Sequence, residues 1–80
     1  MAEEILVASD AEGQRTRFLL KVFLEGDRWT STLARLDEHG RPEETAVAPR
    51  FYGLTAEQAR RRMIGVLENQ YESVFPVKET

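Results

Sequence analysis

Cysteine is absent from the 80 residues of this chain. That excludes disulfide staples, thiolate metal ligands and thiol catalysis, and it fits a reducing cytoplasm. There is a single histidine, His39, so any imidazole acid–base chemistry has only that residue to draw on. No apolar run approaches the roughly 20 residues that a membrane-spanning helix needs. The opening Met1-Ala2-Glu3-Glu4 is acidic and lacks the basic start and apolar stretch of a secretory signal. No glycine loop of the phosphate-cradling type is present, and Ser9, Ser31 and Ser73 show no nucleophile elbow. Internal repeats, linkers and low-complexity tracts are not evident.

The net charge of −3 and the pI near 5.1 argue against a general affinity for polyanions. Hydrophobic residues make up 41% and charged ones 31%, the balance of a soluble globular domain rather than a disordered chain. A chain this short holds one thin core. The expectation is a single domain over residues 1–80, with its core over about 4–75 and a frayed C-terminal tail.

The clearest pattern is "RFLLKVFLEGDRWTSTLARL", residues 17–36. Its apolar residues recur with the period of two that marks a strand. Glu25-Gly26-Asp27-Arg28 reads as a tight turn, with Gly26 at the first central position of type II′. Counting back from a two-residue loop pairs Leu24 with Trp29, Val22 with Ser31, Leu20 with Leu33 and Phe18 with Arg35. Opposed residues share a face, so Phe18, Leu20, Val22, Leu24, Trp29 and Leu33 form the expected core side. Upstream, Ile5-Leu6-Val7-Ala8 has strand character and is followed by the turn cluster Ser9–Gly13. Pairing back onto residues 14–20 is expected, although membership of the main sheet stays open at this level. Downstream, "DEHGRPEE" (37–44) is a polar loop and residues 45–52 a further strand, with Val47 and Phe51 on one face. Pro49 lacks an amide hydrogen and places that strand at an edge or a bulge.

Thr55, followed three residues later by Gln58, is a capping box, and the helix it opens is expected to run from about Ala56 to Ser73. Ala56, Ala59, Met63, Val66, Leu67, Tyr71 and Val74 fall on one arc, with Ile64 at its edge. This gives an α+β fold: a three- to four-stranded antiparallel meander with one C-terminal helix packed on one face.

The helix contains three consecutive arginines, Arg60-Arg61-Arg62. At about 100° per residue they cannot share a face. Arg60 lies at the margin of the apolar arc, Arg61 sits four residues after Glu57 in the favourable order for an ion pair, and Arg62 leaves on a third side. The triplet therefore reads as a solvated surface. A nucleic-acid interface using Arg50, Arg60 and Arg62 is the alternative. Asp37, Glu38, His39, Glu43 and Glu44 are dense in potential ligands, but Gly40 and Pro42 mark a turn tip there, so no metal, cofactor or catalytic residue is expected.

With one helix covering one side of the sheet, Leu19, Phe23, Ala34 and Leu36 are expected to stand in water. Such a patch marks an interface with a protein partner or a second copy. Arg50 and Tyr52 join it from the edge strand, which offers sheet extension as a second mode.

The hairpin with "EGDRW" (25–29), a further strand, and the helix start "TAEQA" (55–59) resemble the small HicB-like domains of toxin–antitoxin systems over about residues 17–73. The resemblance implies a domain that docks on a partner protein, commonly as an oligomer, with no catalytic residue. The loop 37–44 is longer and more charged than those domains show. No DNA-binding segment follows the helix, so a DNA-binding role does not carry over.

Overall fold

The computed structural model describes residues 2–43 and 49–77. Five strands form one antiparallel sheet: β1 (Ala2–Ser9), β2 (Arg15–Glu25), β3 (Arg28–Arg35), β4 (Arg50–Gly53) and β5 (Ser73–Pro76), in the order β4-β3-β2-β1-β5. One helix, α1 (Ala56–Gln70), links β4 to β5. The α+β class and the antiparallel sheet are as expected. The strand count is five rather than three or four, and the helix is followed by a strand instead of being the last element. Residues 45–48 of the expected edge strand, Val47 among them, and the tail beyond residue 77 lie outside the described residues; the strand itself is Arg50–Gly53.

The central hairpin forms in the register the sequence dictates, with Leu24 opposite Trp29, Leu20 opposite Leu33 and Phe18 opposite Arg35. Gly26 has φ +67° and no described non-glycine residue has positive φ. That combination belongs to type II′, since type I′ requires positive φ at both central positions. Residues 2–9 do join the main sheet, pairing with Arg15–Val22.

The β1–β2 and β3–Pro42 turns are built alike. Asp10 Oδ1 accepts from the amides of Glu12 and Gln14, and Asp37 Oδ1 accepts from those of His39 and Arg41. In each turn a glycine three residues after the aspartate takes the left-handed conformation, Gly13 at +83° and Gly40 at +79°. "DAEGQ" and "DEHGR" thus form a short local repeat that composition alone does not reveal.

The helix accounts for the fifth strand. Edge strands four places apart in one sheet lie about 19 Å apart, and a 15-residue helix is about 22 Å long. A chain leaving β4 and crossing the sheet on α1 therefore arrives beside β1, where Val7 and Phe75, and Ala8 and Val74, become partners. The helix ends at Gln70, three residues earlier than its apolar arc implies. Tyr71 turns extended at φ −127°, with its amide still donating to the Leu67 carbonyl, and its ring meets Phe18 edge-on at 5.9 Å. Val74, which shares the apolar arc but lies beyond the expected helix end at Ser73, packs on the core from β5.

At the other helix end Thr55 Oγ1 accepts from the Gln58 amide, while Gln58 Oε1 accepts from Leu54 N, one residue before the N-cap. Gly53 permits this approach, because a Cβ there would stand 2.7 Å from the Ala59 amide nitrogen.

Ala59, Met63 and Leu67 are the buried helix residues, packed with Leu6, Ala8, Phe18, Leu20, Val22 and Leu33. Trp29, Phe51, Ala56, Ile64 and Tyr71 close the margins. Ile64, rather than Val66, flanks the core. Leu24, expected inside, is 56% exposed. Two polar groups tie the layers. Ser31, fully buried, donates its hydroxyl to the Ala59 carbonyl at 2.7 Å, and Arg60 is paired with Glu4 of β1.

Candidate functional site: the open face of the sheet

All the helix contacts fall on one side of the sheet. The pairings place on the other side Glu3, Ile5, Val7 and Ser9 of β1, and Arg15, Arg17, Leu19, Lys21, Phe23 and Glu25 of β2. They are joined by Arg28, Thr30, Thr32 and Ala34 of β3, Arg50 and Tyr52 of β4, and Ser73 and Phe75 of β5. No described helix covers them, and of these residues only Thr30 and Val7 are buried.

Of the residues picked from sequence, Leu19, Phe23 and Ala34 lie together on this face, each partly exposed. Leu36 corrects the expectation: it is 7% exposed. Its amide donates to the Arg17 carbonyl and it bridges to Pro42, because the Asp37 turn folds the chain back beside it. Arg50 and Tyr52 are on the face but already engaged. Arg50 pairs with Glu25 at 3.2 Å, and the Arg28 guanidinium lies 4.0 Å from the centre of the Tyr52 ring.

The structure adds an apolar region that the sequence reading missed. Ile5 continues the row Leu19–Ala34 onto β1, and Phe75 and Val77, 44% and 41% exposed, extend the patch to the β5 edge. Ile5, Leu19 and Val77, with Glu3 and Glu4, line a shallow depression there. Ile5 and Val7 alternate with Leu6 and Ala8 in a wholly apolar run, so the sequence does not say which residues face out. Only the strand register does.

Charge is also segregated. The open face carries Arg15, Arg17, Lys21, Arg28 and Arg50 against Glu3 and Glu25. It therefore holds three surplus cations on a chain whose net charge is −3, and the rest of the molecule is acidic by twice that excess. Lys21 and Glu3 approach to 3.8 Å. Among the described residues, Arg15, Arg17 and Arg28 have no carboxylate ion-pair partner.

The helical arginines are elsewhere and divergent. Arg60 is held between Glu4 and Glu57. Its hydrogen bond with Glu4 raises its pKa above the usual guanidinium value against the opposing cost of desolvation. Arg61 pairs with Glu57 at 3.1 Å, the expected one-turn spacing. Arg62 donates to the Tyr52 carbonyl. Arg60 and Arg62 thus reach to different strands, Arg60 to β1 and Arg62 to β4, so the three arginines Arg50, Arg60 and Arg62 do not converge.

His39 is exposed at the Asp37 turn with the Glu38 carboxylate 3.5 Å away. Among the described residues no three histidine, aspartate or glutamate side chains converge as a metal site would require. No described helix is long and apolar enough to cross a membrane. Compared with protein-family models, with curated proteins and with solved structures, the chain matches none.

Proposed function

We propose that the protein is a non-enzymatic interaction module, regulatory and HicB-like in character, that acts in the cytoplasm by docking a protein partner or a second copy on the open face. One observation carries this reading. A five-stranded sheet has its helix on one side only, and the other side presents Leu19, Phe23, Ala34, Phe75 and Val77, each partly exposed. Exposed apolar side chains gathered on one face of a domain this small are costly to keep in water, and partner contact is their common use. The edge strands are a weaker candidate, since β4 and β5 are four residues each and short edges limit sheet extension.

Phe23→Glu tests the reading. The fold should survive, because Phe23 points away from α1, and oligomer formation or partner capture should be lost. An elution volume and a pull-down profile both unchanged from wild type would contradict it.

Nucleic-acid binding through Arg50, Arg60 and Arg62 has less support, since Arg60 is committed to Glu4 and Arg62 to the Tyr52 carbonyl. That alternative expects retention on heparin that falls steeply with salt.

A further inference from the structure

The distribution of charge on the open face restricts what can cover it. The aliphatic centre, Ile5, Leu19 and Ala34, lies in one transverse row. Cations flank it along the strands: Arg15 and Arg17 toward one end of β2, and Arg28, opposite Glu25, at the other. From Arg17 to the Arg28 pair is eight residues of β2, about 26 Å of strand. A helix of about 18 residues has the same length.

A second copy placed face to face would bring two surfaces of like net charge together, which electrostatic complementarity disfavours. A single-stranded nucleic acid needs stacking platforms along a basic track. Here the Tyr52 ring is already occupied by Arg28, and the other two rings, Phe23 and Phe75, stand two strands and six residues of β2 apart rather than along one track.

We propose that the open face binds an acidic amphipathic helix of a partner polypeptide, whose apolar stripe covers Ile5, Leu19, Phe23 and Ala34 while carboxylates toward its two ends meet Arg15/Arg17 and Arg28. The inference rests on the open face being a docking surface and adds the chemistry of the occupant. The bound helix would complete a three-layer sandwich, with α1 on one side of the sheet and the partner helix on the other.

The test is an NMR titration of the full chain with two helical peptides of about 18 residues, each with leucine at every third or fourth position. One carries glutamate at the remaining positions and the other lysine. The acidic peptide should shift the amide signals of Leu19, Phe23, Ala34 and Phe75, and should bind at least about tenfold more tightly than the basic one, a difference that shrinks with salt. Arg17→Glu combined with Arg28→Glu should reverse the preference. Equal affinity for the two peptides would overturn the acidic chemistry and leave the docking surface standing. Failure of both peptides to shift those signals would remove the proposal, and a Phe23→Glu variant with unaltered oligomer and partner profiles would remove the docking reading as well. Tighter binding of an oligouridylate on the same residues would make the ligand a polyanion instead. A concentration-dependent dimer that broadens the Leu19 and Phe23 signals would make the occupant a second copy.

Discussion

Leu19 and Leu20 are neighbours in the chain and opposites in the molecule. Leu20 is fully buried beneath α1, whereas Leu19 lies on the uncovered side and keeps part of its surface in solvent. The same contrast runs across the sheet. One face is apolar, sealed by Ala59, Met63 and Leu67, and tied down by the Ser31 hydroxyl. The other mixes aliphatic residues with an excess of cations and has no helix over it. The lesson is that one sheet can assign stability to one side and recognition to the other, because side chains alternate at a period of two. A single-residue slip of register would exchange the two roles.

The largest expected effect lies on the sealed side. Leu20→Ala removes a fully buried side chain and should lower unfolding free energy by about 2–5 kcal/mol in urea denaturation, against less than about 1 kcal/mol for Leu19→Ala. Comparable losses would mean that both faces are core. Next, Gly53→Ala would drive a Cβ into the Ala59 amide at 2.7 Å. A cost of about 1–3 kcal/mol is expected, with the loss appearing in helical circular dichroism as the α1 start is displaced. An unchanged melting temperature would show that the close approach is not required. Ser31→Ala should cost about 1 kcal/mol, the typical net value of a hydrogen bond. Its effect should be readable as faster amide exchange in the first two turns of α1.

The smallest effect separates two ion pairs. Arg60→Ala leaves Glu4 without its partner under the helix start and should cost about 1 kcal/mol, whereas Lys21→Ala, whose contact with Glu3 is exposed, should cost close to nothing. Equal values in chemical denaturation would remove that distinction between the faces.

Much of the sealed side was legible before the structure. The hairpin register followed from Gly26 and from alternation in β2, and the helix start followed from Thr55 and Gln58. The buried triad Ala59, Met63 and Leu67 followed from helical spacing. The end of α1 was not legible, because no glycine or proline marks Gln70. What stops the helix is the pairing of Ser73–Pro76 with β1, a long-range event that a four-residue strand barely announces. Leu36 was misjudged for a related reason: the chain reversal that buries it is set by the Asp37 turn.

The open face was half legible. Leu19, Phe23 and Ala34 followed from the hairpin register. The contribution of β1 and β5 depended on pairings across the sheet, and so did the gathering of Arg15, Arg17 and Arg28. A net acidic chain gave no sign of a cationic face, because net charge averages over surfaces that the fold separates.

Unfolding of a Leu19→Ser/Phe23→Ser double variant, followed by Trp29 fluorescence in urea, probes the division of labour between the two sides most directly. A cooperative transition whose midpoint is nearly that of wild type, in a protein that no longer engages the acidic peptide, is the predicted result. Loss of cooperative unfolding, or a fall in stability as large as that of Leu20→Ala, would contradict it by showing that the uncovered side holds the fold together.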